Sequence, residues 1–86
     1  MTNSQTLFLV LAEFGMGHIP LERCCHHFGM SPDEAKRAAT RQALPVATFR
    51  LGSQKSPWLV AADALAEYID QQRRDAETQW RKIHAA

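Results

Sequence analysis

The sequence predicts a mainly helical α+β fold, in which a first helix is followed by two short helices joined by a turn, a β-hairpin and a long C-terminal helix. Three observations support it. Apolar residues recur every three or four positions in three stretches of the chain. A β-forming stretch with a polar turn stands between the second and third of these. The 86 residues leave room for one domain, spanning residues 1–86.

The first helix is predicted to begin near Ser4 and to end at Gly15 or Gly17. Leu7, Leu11 and Phe14 follow helical spacing, and the glycines after them favour termination. A short strand is the alternative for this segment. The Gly15 to Gly17 stretch lacks the lysine and hydroxyl residue of a phosphate-binding loop, so it is interpreted as a helix stop.

The second and third helices are predicted from residues about 20–42. Leu21, Cys24, Cys25 and Phe28 share one face of a helix of about two turns that ends at Gly29. The sequence Ser-Pro-Asp-Glu over residues 31–34 is that of a capping box and predicts the start of the third helix. The pair is therefore expected to form a helix-turn-helix.

The third helix has two contrasting faces. One face is formed by Ala35, Ala38, Ala39 and Gln42. The small alanine side chains on this face should allow the helix to pack closely against its neighbour. The opposite face carries Lys36, Arg37, Thr40 and Arg41. A β-hairpin is expected over residues about 46–60, with strands at 46–51 and 58–60. A hairpin after a basic helix occupies the position of the wing in winged helix-turn-helix domains.

The last helix is predicted over residues about 62–83, where no proline or glycine intervenes. A seam spaced by three and four residues runs along it, formed by Leu65, Ile69, Gln72, Ala76, Trp80 and Ile83. A helix of this length extends beyond a small core. We expect Trp80 and Ile83 to be covered by a second copy of the chain in a homodimer, or by folding of the helix back onto the first helix.

Charge is distributed unevenly along the chain. The totals almost cancel, with 10 Lys and Arg against 9 Asp and Glu, yet five cations and no acid stand between Glu34 and Asp63. A local cationic surface is what binding to double-stranded DNA requires, while an ordinary solvated surface is the alternative. The candidate DNA-binding residues are Ser31, Lys36, Arg37, Thr40, Arg41, Arg50, Ser53, Gln54, Lys55, Ser56 and Trp58.

Two stretches resemble a known family. They are Ile19 to Gly29 and, above all, Leu44 to Val60 with its Arg-Leu-Gly-Ser-Gln-Lys-Ser-Pro-Trp segment. Both are similar to the pyocin activator protein (PrtN) family, and the resemblance runs from Thr6 to about Trp80. More remotely, the arrangement resembles the MerR and excisionase type of winged helix-turn-helix.

The resemblance implies a transcriptional activator that binds DNA upstream of bacteriocin (pyocin) or prophage genes after DNA damage, through the basic helix and the wing. Contact with RNA polymerase through the acidic part of the last helix is a further expectation. The alternatives are an excisionase-like architectural DNA-binding protein and an antirepressor-type protein-interaction module. The expected location is the cytoplasm, with nucleoid association when bound.

Catalytic, cofactor and metal sites are not expected. No base or oxyanion site accompanies the cysteines, and neighbouring side chains on a helix point about 100° apart, unlike spaced zinc ligands. Cys24 and Cys25 are interpreted as reduced core residues, and His26 and His27 as surface residues near a helix end. No function is assigned to these four residues. The longest apolar run is too short for a membrane span.

Overall fold

A computed structural model describes residues 4–85. These residues are mainly helical and contain one two-stranded sheet. In chain order its elements are α1 (Ser4–Phe14), β1 (His18–Pro20), α2 (Leu21–Cys24), a 3₁₀ segment (Cys25–Phe28), α3 (Pro32–Thr40), β2 (Leu59–Ala61) and α4 (Ala62–His84). Within this part of the chain, no helix is both long enough and apolar enough to cross a membrane.

Helix α1 has the predicted bounds, and the alternative of a strand is wrong. It ends at Phe14 because Gly15 adopts a left-handed conformation with φ of 72°. The buried face consists of Thr6, Val10 and Phe14. Leu11, which was expected on that face, is exposed. The helix is therefore rotated relative to the predicted apolar face.

The sheet pairs segments that are distant in sequence. Strands β1 and β2 are antiparallel, with Ile19 opposite Val60, and both of these side chains are fully buried. Pro20 leads directly into α2 and Ala61 leads directly into α4. The sheet thus fixes the starts of two helices relative to each other.

The predicted two-stranded hairpin over 46–60 is reduced to a single bridge. Phe49 and Leu59 exchange both backbone hydrogen bonds, at 3.1 and 2.8 Å, but residues 46–51 form no strand. The next hydrogen-bonded pair of such a ladder would join Leu51 to Pro57, and proline has no N–H to donate. On its other edge, the strand at 59–61 pairs with β1. We call residues 50–58, which this bridge closes, the basic loop.

The turn between the second and third helices is defined by hydrogen bonds. The 3₁₀ segment ends with Gly29 at φ of 70°, and the amides of Gly29 and Met30 donate to the carbonyls of His26 and Cys25. This is a Schellman motif. The hydroxyl oxygen of Ser31 then accepts from the Glu34 amide at 3.2 Å, as the capping sequence predicts.

Helix α3 is shorter than predicted. Ala35, Ala38 and Ala39 are buried as expected, but the helix ends at Thr40 and Gln42 lies beyond it. Gln42 is exposed and has φ of 51°, and its amide group donates to the carbonyl of Thr48 at 3.2 Å. Assignment of Gln42 to the apolar face of the helix was wrong, because its own left-handed backbone conformation lies beyond the helix end at Thr40.

Helix α4 divides into a packed half and an exposed half. Ala62, Leu65, Ala66 and Asp70 are buried against the domain, including α1. Every described residue from Gln71 onward is exposed. Fold-back onto α1 therefore covers only the first part of the helix. Two apolar side chains of the predicted seam remain exposed, Trp80 at 60% and Ile83 at 78%.

Candidate nucleic-acid interface

A cleft of about 480 Å³ lies between α3 and the basic loop. Eight of the candidate DNA-binding residues line it, although they come from two separate parts of the chain. They are Lys36, Arg37, Thr40, Arg50, Gln54, Lys55, Ser56 and Trp58. The fold therefore brings most of the predicted site to one place.

The α3 wall of the cleft presents charged and hydroxyl side chains to solvent. Ala35, Ala38 and Ala39 are buried, so helical geometry directs Lys36, Arg37 and Thr40 outward. The Thr40 hydroxyl donates to the Lys36 carbonyl at 3.0 Å. The wall is thus held by the alanine packing behind it.

One acid lies at the α3 wall. Glu22 of α2 lines the cleft, and its carboxylate Oε2 is 3.8 Å from Nζ of Lys36. Both side chains are more than half exposed. Water therefore screens the pair, and its contribution to stability is small. The Glu22 carboxylate does, however, partly neutralise the positive charge that Lys36 presents to the cleft.

The basic loop is organised around Arg50 and Trp58. The Arg50 guanidinium carbon lies 4.1 Å from the centroid of the Trp58 ring, in cation–π geometry. Nη1 of the same arginine donates to the Gln54 carbonyl. The loop is also attached to α2, because the Leu21 amide donates to the Trp58 carbonyl at 2.8 Å. Arg50 therefore supports the loop as well as adding charge to it.

Three candidate residues lie outside the lining of the cleft. Ser31 caps α3, Arg41 follows the last residue of that helix, and the Ser53 hydroxyl accepts from the Lys55 amide at 3.2 Å. Leu21, Glu22 and Pro57 line the cleft but were not predicted. Their positions depend on how α2 packs against the loop, and no local sequence signal marks that packing.

Cations outnumber acids in the lining of the cleft beside α3. In residues 4–85, no carboxylate forms an ion pair with Arg37, Arg41 or Lys55. A second cleft, of about 520 Å³, is lined by residues 45–47 and by α4 and includes no lysine or arginine. The cleft beside α3 is therefore better suited to an anionic partner than the second cleft is.

The two cysteines behave as the core residues that were expected. Both thiols are free and buried, and Cys24 has no exposed surface. Burial, with a smaller effect from the neighbouring Cys25, raises the pKa of Cys24 to about 11. A thiol with a pKa in this range is protonated at neutral pH and is a poor nucleophile.

The histidines that follow meet a residue far away in the sequence. His26 is exposed and His27 is half-buried, at the end of the 3₁₀ segment. Nε2 of His27 lies 3.4 Å from Oε2 of Glu13, which belongs to the last turn of α1. Glu13, His26 and His27 therefore place three potential metal-ligand atoms within 4.8 Å of one another.

A family model described as pyocin activator protein PrtN matches residues 6–76. The match includes both walls of the cleft and ends before Trp80. No curated protein and no solved structure gave a significant match.

Proposed function

The chain belongs to the pyocin activator protein (PrtN) family, and on that premise we propose that it is a transcriptional activator that binds double-stranded DNA. The observation that supports DNA binding is the cleft itself. Four cations from two distant segments line it, against the single acid Glu22. Neutralisation of phosphates by such a surface releases condensed counterions and favours binding.

The arrangement supports a winged helix-turn-helix mode of docking. Helix α3 would enter the major groove, where Arg37 or Arg41 pairs with guanine edges and Thr40 reaches a base or a phosphate. The basic loop would serve as the wing and lie along the backbone, with Lys55 near its tip. Ser31 and Lys36 would hold phosphates, which position the protein without reading sequence.

The regulatory role follows from the family. We propose that the protein binds boxes upstream of pyocin or prophage genes and activates them after DNA damage, acting in the cytoplasm at the nucleoid. Contact with RNA polymerase would use acids on α4. Glu67, Asp75 and Glu77 are exposed there and could meet a basic surface.

A homodimer through the exposed half of α4 completes the proposal. Trp80 and Ile83 are three residues apart, so they lie on one face of the helix. Burial of apolar side chains of this size is favourable, and packing against the same helix of a second copy would bury them. Such a dimer would bind two half-sites separated by about one turn of DNA or a multiple of it.

The decisive experiment is a competition titration with labelled promoter DNA, unlabelled random DNA as competitor, and two salt concentrations. Arg37→Glu and Lys55→Glu each reverse one charge in the cleft, and Arg74→Glu is the matched control on the exposed half of α4. We expect each cleft variant to lose about tenfold or more in affinity, with a shallower salt dependence. The control should retain wild-type affinity.

Equal affinity of the wild type and both cleft variants would overturn the proposed interface. Equal, weak binding to promoter and random DNA would instead favour the antirepressor-type module, for which the exposed Trp80 supplies a contact surface. Tight binding at a phage attachment site without any change in transcription would favour the excisionase-like architectural role.

A further inference from the structure

We propose that Glu13, His26 and His27 form a binding site for a divalent transition-metal ion of the zinc class. A carboxylate oxygen of Glu13 and one ring nitrogen from each histidine lie within 4.8 Å of one another. Glu13 lies at the end of α1, and the histidines lie in the 3₁₀ segment that precedes the turn before α3. The site is independent of the proposed DNA interface and can be tested without DNA.

The spacing of the ligand atoms suits a small cation. Nε2 of His27 and Oε2 of Glu13 are 3.4 Å apart. Ligands at about 2.0–2.1 Å from a tetrahedral ion are separated by about 3.3–3.4 Å. The His26 and His27 rings have centroids 4.3 Å apart at an angle of 35°. The His26 ring is exposed, so its side chain is free of packing that would oppose the small shift that coordination requires.

The fold holds the His27 ring and the backbone of Glu13 in place. The His27 ring meets the Phe14 ring edge to face, with centroids 5.7 Å apart, and Phe14 is buried. The backbone of the histidine pair is fixed by the Schellman motif at Gly29. Glu13 is adjacent to Phe14 on the packed helix α1. Binding would therefore require little ordering of the chain.

The donor set determines the class of metal. Two imidazole nitrogens and one carboxylate oxygen suit Zn²⁺, Co²⁺ or Ni²⁺, whereas Mg²⁺ and Ca²⁺ prefer sites made of oxygen atoms alone. The Cys24 thiol is fully buried and lies outside this group. The Glu13 side chain is 50% exposed, so water can fill a fourth position.

A bound ion would join two elements that precede α3. It would link the end of α1 to the 3₁₀ segment, which leads through Gly29 to the cap of α3. An ion that binds the folded chain and not the unfolded chain stabilises the folded chain in proportion to the logarithm of its concentration. Zinc availability would thus change the stability of the helix-turn-helix pair.

The test uses untagged protein, because a polyhistidine tag would bind the same ions. Calorimetric titration with ZnCl₂ should give one equivalent bound, while MgCl₂ gives no heat of binding. Glu13→Gln preserves the size of an exposed side chain, and His26→Ala removes the exposed histidine. Each should weaken Zn²⁺ binding by about tenfold or more, since loss of even an outer-shell partner costs this much. His84→Ala, at the far end of α4, is the control and should bind as the wild type does.

Absorption of the Co²⁺ complex provides a second readout. Nitrogen and oxygen ligands should give d–d bands without the charge-transfer band of a thiolate. Circular dichroism of each metal-free variant checks that the fold is retained. The proposal is overturned by absence of Zn²⁺ binding, by wild-type affinity in Glu13→Gln and His26→Ala, by an equal loss in His84→Ala, or by a thiolate band.

Discussion

The hydroxyl group of Thr6 in α1 donates a 2.6 Å hydrogen bond to Oδ1 of Asp70 in α4, across 64 residues of sequence. Each residue is only 5% exposed. Removal of a carboxylate from water is costly unless hydrogen bonds replace those it made to solvent. The contact therefore joins α1 to the last buried residue of α4, which is Asp70.

Replacement of Thr6 by valine tests the importance of this hydrogen bond. Valine has the same shape but cannot donate, so the buried carboxylate loses a partner. We expect Thr6→Val to lower the free energy of unfolding by about 1.5–3 kcal/mol, as measured by urea denaturation. Thr78→Val, on the exposed half of α4, is the matched control and should change it by less than about 0.5 kcal/mol. Equal effects in both variants would show that the Asp70 contact is not special.

The role of Arg50 in the basic loop can be separated from its charge. Arg50→Lys keeps the charge but cannot reproduce planar stacking on Trp58 together with donation to the Gln54 carbonyl. We expect DNA affinity to fall by about fivefold, which corresponds to a loss of about 1 kcal/mol in binding free energy. Arg73→Lys on α4 is the control and should have no effect. Wild-type affinity of Arg50→Lys would mean that Arg50 contributes charge alone.

Gln42 tests the end of α3. A β-branched residue tolerates its left-handed backbone poorly and cannot donate to the Thr48 carbonyl, so Gln42→Val should destabilise the chain by about 1–2 kcal/mol. Gln42→Gly loses the same hydrogen bond but relieves the backbone, so the net change should lie within about 1 kcal/mol. Thermal denaturation compares the two variants. Equal destabilisation would indicate that the side-chain bond, not the conformation, matters at this position.

Self-association is predicted to depend on Trp80. Trp80→Glu places a charge on the exposed apolar face of α4 and should yield monomers in sedimentation equilibrium at concentrations where the wild type is dimeric. Thr78→Glu adds the same charge on the side of α4 opposite Trp80 and Ile83, and this variant should remain dimeric. A wild-type protein that is monomeric at high concentration would contradict the prediction.

Local chemistry explains why parts of the fold were predictable. The Ser31 cap, the glycine at 29 and the end of α1 at Gly15 each depend on residues within one helical turn. The basic face of α3 followed from helical periodicity, because the buried alanines determine which side chains point outward. These features can be predicted from neighbouring residues alone, without knowing how the remainder of the chain packs.

The parts that could not be predicted depend on which distant segments meet. Strand 59–61 has two edges, and the sequence favours pairing with 46–51, whereas the structure forms its ladder with 18–20 and keeps only the Phe49 bridge on the other edge. Pro57 weakens the first choice, but its effect appears only once the register is known. The approach of Glu13 to His27 likewise follows from helix packing. The left-handed conformation of Gln42 could not be predicted either, because that conformation is usually indicated by a glycine and Gln42 is not one.

The two halves of α4 should respond differently to temperature. Residues 71–84 have only their own backbone hydrogen bonds and short-range side-chain pairs to keep them helical, whereas 62–70 share the cooperativity of the core. Amide protons near Ile83 should exchange with solvent fastest, with protection rising towards Asp70. The tip of the helix is thus a segment that unwinds at little cost in free energy. Any partner that docks on it must form contacts that offset the conformational entropy lost when the tip is held in place.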